Sequence, residues 1–211
     1  MINKGIIFDL DGTLWNSSEK VVPAWNRVFE RYKDIDCNIT VSQMQSFMGK
    51  RIPEIAKILL PSVPEQYRLQ ILNECCKEEQ IYLLDNGGVL YPKLEDTLSE
   101  LRRDFDLFIV SNCQDGYIEA FLDYHKLRYY FLDTECSGRT GKSKGENIKT
   151  IINRNHLDKA IYIGDTQGDL DAAKEAEIHF VHAKYGFGSV NEDTYVINSF
   201  FELSKIISEI I

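Results

Sequence analysis

No two cysteines in this chain are spaced as CxxC; the five, at positions 37, 75, 76, 113 and 136, form an odd and scattered set. Such a set offers neither a disulfide framework nor a zinc site, and it fits reduced thiols in a cytoplasmic protein. Long apolar runs are missing as well. The opening MINKGIIFDLDG has three consecutive apolar residues before an aspartate, too few for a secretory core, and no later segment approaches the roughly 18 that a membrane helix needs. Basic charge is in deficit, with 24 Lys and Arg against 33 Asp and Glu and a net charge of -9. That balance removes the usual footprint for nucleic acid and disfavours anionic membranes, while it suits a divalent cation. Heptad runs and low-complexity tracts are absent too. With 44% hydrophobic and 27% charged residues in 211, the chain is expected to fold as one large domain or as a core with a smaller insert.

What is present is an alternation of two periods. Short β-branched runs occur at 5–8 (GIIF), 107–110 (LFIV), 160–163 (AIYI) and 179–183 (HFVHA), and each passes into a polar or glycine-containing stretch. Between them, apolar residues take helical spacing: Leu94, Leu98 and Leu101; Ile118, Phe121 and Leu122; Ile148, Ile151 and Ile152. Strands alternating with helices predict an α/β fold, a parallel sheet covered on both faces. Residues 15–84 break the pattern, with no strand signal and with Val21, Trp25, Val28, Phe29 and Tyr32, then Ile52, Ile55 and Leu59, at helical spacing. The expected organisation is a core of 1–14 and 86–211 with a helical insert of 15–85, closed by a glycine-rich hinge at 85–92, DNGGVLYP. Leu203, Ile206, Ile207 and Ile210 predict a last amphipathic helix.

Ligands of open parallel sheets bind beyond the carboxyl ends of the strands, so chemistry is expected at those ends. One carries Asp9, Asp11 and Thr13 in DLDGT; another carries Ser111 and Asn112; a third carries Asp165 and Asp169 in GDTQGD; a lysine pair stands at 142 and 144. Asp9 and Asp11 are two apart, so an extended chain would turn both carboxylates to one side, where they repel unless a cation or a shared proton relieves them. With Asp165 added, the oxygen set suits magnesium. Carboxylates, a hydroxyl and an ammonium group together meet the needs of phosphoryl transfer.

DLDGT, VSN at 110–112, a lysine just before a helix and GDTQGD, in this order, resemble the four motifs of the haloacid dehalogenase superfamily of hydrolases. The helical insert after the first motif resembles the cap of its phosphoglycolate phosphatase-like branch. The resemblance implies a doubly wound, Rossmann-like core beneath a helical cap. It also implies that Asp9 attacks phosphorus to form an aspartyl phosphate, and that Asp11 protonates the leaving oxygen and later activates water. Ser111, Asn112 and a lysine would hold phosphate oxygens. Mg2+ would be bound by the Asp9 carboxylate, the Asp11 carbonyl and the Asp165 carboxylate, with Asp169 acting through water or by holding the lysine. Dehalogenases of the superfamily lack an aspartate at the position of Asp11, and its sugar-phosphate mutases usually carry a histidine where this chain has EKVV at 19–22. The expectation is therefore a phosphatase acting on a small phosphomonoester such as phosphoglycolate or a sugar phosphate. A mutase, and a binding protein that keeps the fold without catalysis, are the alternatives. Monomer and homodimer are both open.

Lys142 raises one more alternative, because Gly141-Lys142-Ser143 ends like a nucleotide loop, GxxxxGK[ST]. The first glycine of that pattern would fall at Cys136, and the preceding strand signal, at 130–133, ends too early. Lys144, directly before GENIKTII, is the expected phosphate-binding lysine. In the insert, the turn FMGKRIPE at 47–54 carries Lys50 and Arg51, which the resemblance sets over the site to pair with an anionic group of the substrate, and Trp15 and Asn16, just after the first motif, are expected to line the same entrance. Cys113 adjoins Ser111 and Asn112 but suggests no role.

Overall fold

The computed structural model describes residues 2–211. A six-stranded sheet in the order β5-β4-β1-β6-β7-β8 forms the centre, from β1 (Lys4–Phe8), β4 (Asp106–Ser111), β5 (Asp133–Cys136), β6 (Lys159–Gly164), β7 (His179–Ala183) and β8 (Tyr195–Ile197). All its pairings are parallel, with Ile7 of β1 opposite Phe108 of β4 and Tyr162 of β6. The period of two divides each strand between the faces. Ile6 and Phe8 belong to one buried cluster, with the helices α5 (Leu94–Leu101), α6 (Tyr117–His125) and α10 (Leu203–Ile210); Ile7, Phe108 and Tyr162 belong to the other, beneath α8 (Lys144–Arg154) and α9 (Gln167–Glu175). Near-continuous apolar strands are what burial on both faces demands.

Between β1 and α5 the chain builds four helices, α1 (Ser18–Phe29), α2 (Val41–Phe47), α3 (Ile52–Leu59) and α4 (Glu65–Asn86). Trp25, Val28 and Phe29 of α1 and Ile71, Leu72 and Cys75 of α4 are buried together in their midst. Contrary to the strandless reading of 15–84, Trp15–Asn16 form a two-residue strand, β2, which pairs antiparallel with β3, Val89–Leu90. Two residues are too few to carry a periodic signal, so this ribbon is visible only once its halves meet. It ties together the two crossings between the helices and the sheet.

The strand expected at 130–133 also moves. Residues Arg128–Tyr130 form a turn of 3-10 helix, and β5 begins at Asp133. β5 is an edge strand, and its polar sequence DTEC, with Asp133 and Glu135 bound by Arg154, lacks the apolar run that marks the buried strands. A short helix α7 (Ser137–Thr140) follows it at once, and Ser143 caps α8 through a reciprocal pair with Glu146. The serine of the GKS tripeptide is thus a helix cap, and all five cysteines are free thiols. Among the described residues, no helix is long and apolar enough to cross a membrane.

Candidate active site

The carboxyl ends of β1, β4 and β6 lie side by side in the sheet, and their following residues converge. After Phe8 the backbone leaves the extended form: the N–H groups of Thr13, Leu14 and Trp15 all turn back to the Leu10 carbonyl. Beyond this turn the two carboxylates take different hydrogen-bond partners. Asp9 Oδ1 meets Lys144 Nζ at 2.8 Å, whereas Asp11 Oδ1 accepts from Ser17 Oγ at 2.7 Å and from the Tyr117 hydroxyl at 3.0 Å. The carboxylates that crowd one another are Asp9, Asp165 and Asp169, which offer oxygens all within 4.8 Å of one another. All three are buried.

Lys144, also buried, supplies the counter-charge. Its Nζ lies 2.6 Å from Asp169 Oδ1 as well as beside Asp9, and it stands over the Tyr162 ring. Burial alone would lower its pKa, but the Asp169 and Asp9 carboxylates hold it above the usual lysine range. Lys142, two residues earlier, is exposed in the turn before α8. The structure brings Lys144, and not Lys142, to the carboxylates.

Asp169 has little left to offer an ion. Its Oδ2 accepts from the Thr166 N–H, the Thr166 hydroxyl and the Asp165 N–H, closing the N-terminal cap of α9, and its Oδ1 is taken by Lys144. Asp165 is different. Its Oδ2 accepts the Phe187 and Gly188 N–H groups, while Oδ1 is buried without a hydrogen-bond partner. An orphaned carboxylate oxygen facing two other acids fits a hard cation, since burial and the Asp169 and Asp9 charges push its pKa well up. Gly12 makes the approach feasible: its φ is 82°, and a Cβ there would stand 2.3 Å from Asp165 Oδ2.

Burial also raises Asp9, and it lifts Asp11 to about 6 against the pull of its Ser17 and Tyr117 donors. A carboxyl with that value exchanges its proton near neutrality, as an acid that later serves as base requires. Ser111, buried at the end of β4, shares a small cavity with Asp11. The Asn112 side chain is committed elsewhere: Nδ2 donates to the Gly49 carbonyl at 2.8 Å and Oδ1 accepts from Ser137. It therefore latches the core to the 47–54 turn. Lys50 lines the cavity over Asp11, while Arg51 pairs with Glu54 and borders a separate groove beside Lys144. Contrary to expectation Trp15 does not line the entrance: its ring is fully buried against Tyr117 and Phe121, and Asn16 accepts from Ser18. Cys113 lines the cavity beside Ser111.

Ser17, Tyr117, Glu79 and the 187–188 amides enter the site without having been marked by the sequence. Tyr117 and Glu79 lie inside helices, where only tertiary packing assigns a direction. The glycines at 186 and 188 after HFVHA were the one available hint of a close backbone approach.

Residues 6–183 match the haloacid dehalogenase-like hydrolase family, so the chain belongs to it. It is similar to a phosphoglycolate phosphatase of Aquifex aeolicus, with 27% identity over 88% of this chain and 87% of the relative. It is also similar to the pyrophosphatase PpaX of Listeria monocytogenes, with 26% identity over 82% and 79%. Among solved structures, a predicted phosphatase from Clostridium acetobutylicum superposes with a TM-score of 0.81 at 25% identity, covering 99% of this chain and 100% of that one.

Proposed function

We propose that this haloacid dehalogenase-like hydrolase is a magnesium-dependent phosphatase that cleaves a small phosphomonoester through an aspartyl phosphate on Asp9. The observation that carries the reading is the buried set in which one ammonium, Lys144, meets Asp9 and Asp169 while Asp165 keeps an unpartnered oxygen. The named activities of the relatives, on phosphoglycolate and on pyrophosphate, support phosphate chemistry.

In this reading an Asp9 carboxylate oxygen bonds to phosphorus as the ester oxygen leaves, and Asp11 hands that oxygen its proton. Asp11, now a carboxylate, takes a proton from water as the water oxygen attacks phosphorus, which frees Asp9 and releases orthophosphate. Ser17 and Tyr117 position Asp11 for both transfers. Lys144 and the Ser111 hydroxyl hold phosphoryl oxygens and offset their charge. Asp9, the Asp11 carbonyl and Asp165 would hold the magnesium ion, with Asp169 fixing Lys144. When bound, the ion supplies positive charge to the phosphoryl oxygens.

The helices of 15–85 act here as a cap that opens and closes on the 15–16 and 89–90 ribbon, with Lys50 at the substrate entrance. The first test is release of orthophosphate from an aryl phosphate and from ATP, with magnesium or with chelator. Magnesium-dependent cleavage of the aryl ester is expected; cleavage of ATP alone, indifferent to the metal, overturns the reading.

A further inference from the structure

The loop after β7 reaches back over the site and holds Asp165 through its backbone. The Phe187 N–H at 2.7 Å and the Gly188 N–H at 3.3 Å both donate to Asp165 Oδ2, which leaves Oδ1 as the free oxygen of that carboxylate. So close an approach needs glycine, since a Cβ on Gly186 would stand 2.3 Å from Asp165 Cβ and 2.5 Å from the Gly12 carbonyl oxygen. Should the loop loosen, Oδ2 loses its donors and Oδ1 its direction.

Tyr185, which precedes this loop, is half-buried and tied to two other segments. Its hydroxyl donates to the Thr13 carbonyl at 2.8 Å, in the turn that carries Asp9 and Asp11. Its ring packs edge-on against Tyr91, with centroids 4.6 Å apart. Tyr91 directly follows Val89–Leu90, the strand by which the chain returns from the helical insert, and its N–H donates to the Leu14 carbonyl at 3.2 Å, next to the outgoing crossing. Burial raises the pKa of both phenols, and the Asp165 carboxylate raises both further, so the pair lies in the field of that acid. Tyr185 thus meets the hinge with its ring, the nucleophile turn with its hydroxyl, and Asp165 through the amides that follow it.

We propose that Tyr185 couples the position of the helical insert to the affinity of the site for magnesium. With the hinge drawn in, Tyr91 backs Tyr185 against the Thr13 carbonyl, and the 186–188 loop holds Asp165 with Oδ1 free for the ion. With the hinge swung out, Tyr185 loses that backing, the loop is released and the carboxylate loses its aim. Tyr185 is a positioning residue, acting through Asp165 rather than on the substrate. Linkage makes the effect reciprocal, so a bound ion draws the hinge in. The inference rests on the magnesium-dependent reading of the same site and adds to it a link between the metal and the insert.

Calorimetric titration of the whole chain with magnesium, no phosphate present, tests it together with hydrogen exchange in peptides covering 85–92. Tyr185→Phe, which removes only the hydroxyl, is expected to weaken magnesium binding about fivefold, the worth of one hydrogen bond. Tyr91→Ala, outside the loops that carry the acids, is expected to weaken it by a similar factor. Magnesium alone should slow exchange at 85–92 in the wild-type protein and not in Tyr91→Ala. A role confined to the fold would lower the unfolding midpoint in chelator and leave the affinity where it is. Affinity unchanged in either folded variant, or exchange at 85–92 that magnesium does not slow in the wild type, overturns the inference. If Tyr91→Ala does not fold, Tyr185→Phe and the wild-type exchange decide. Absence of magnesium binding in the wild type defeats the reading of the site itself, and the same titration separates that result from an affinity the variants do not move.

Discussion

Lys144 Nζ stands 2.6 Å from Asp169 Oδ1, and this contact sets the division of labour among the buried acids. With Asp169 spent on the lysine and on the cap of α9, Asp9 and Asp165 are the carboxylates free to share a cation. One ammonium serves three buried carboxyl groups, so the set is balanced only by protons on the carboxyls or by a further cation.

Lys144→Met is therefore expected to lose about 3–5 kcal/mol of stability in chelator, the cost of stranding buried charges. Magnesium should restore more of the unfolding temperature in this variant than it adds to the wild type, since the ion takes over part of the lost charge. Urea and thermal unfolding with and without magnesium measure both effects, and an unaltered midpoint in chelator would speak against the pairing.

The carboxyl of Glu79 is pushed up from 4.5 to about 8, chiefly by burial, against the Trp25 hydrogen bond. Between those values the folded protein holds a proton that the unfolded chain has released. Stability from this group is therefore present below about 4.5 and lost as the pH rises through about 8. Glu79→Gln keeps the volume and an acceptor for Trp25 without the ionisation. It should melt close to wild type at pH 5 and a few degrees above it at pH 8.5; parallel melting curves at both pH values would refute the assignment.

Tyr117 provides one of the two hydroxyls on Asp11 Oδ1. Tyr117→Phe should slow turnover of an alkyl phosphate roughly five- to tenfold, the worth of about 1 kcal/mol of positioning. An aryl phosphate, whose leaving group needs less help from an acid, should lose less. A uniform loss on both esters would show that the hydroxyl only supports the fold.

The Asn112 amide, through its bond to the Gly49 carbonyl, joins the loop after β4 to the turn of the insert. Asn112→Ala should speed hydrogen exchange in peptides covering 45–52 and 85–92. Magnesium with orthovanadate should slow exchange there in the wild-type protein as the cap closes. Exchange unchanged in both experiments would remove the hinge from the account.

How far the sequence announces this molecule varies with the physics of each part. β1, β4, β6 and β7 are legible because a strand buried on both faces must be apolar throughout, and their ends are legible because acids and hydroxyls there interrupt such runs. Thr166 and Asp169 even display their capping pair as a three-residue spacing. β5 misleads because an edge strand can be polar, while the aromatic residues before it fill the core from a 3-10 turn. The partners of the Asp11 carboxylate, Ser17 and Tyr117, are invisible because they meet it only after a turn closed on one carbonyl, that of Leu10. Glu79 and Tyr117 are invisible for another reason: each is an ordinary helical residue until a neighbour some hundred positions away, or on another helix, gives it a partner.

Asp9 as the nucleophile is tested by magnesium-dependent phosphate release from an aryl phosphate by wild-type and Asp9→Asn proteins, with acid quenching during turnover to locate bound phosphoryl groups. The wild-type peptide containing Asp9 is expected to gain one phosphoryl group, and Asp9→Asn, still folded, neither to gain it nor to release phosphate. Steady release by Asp9→Asn, or a phosphoryl group found on another residue, would contradict it.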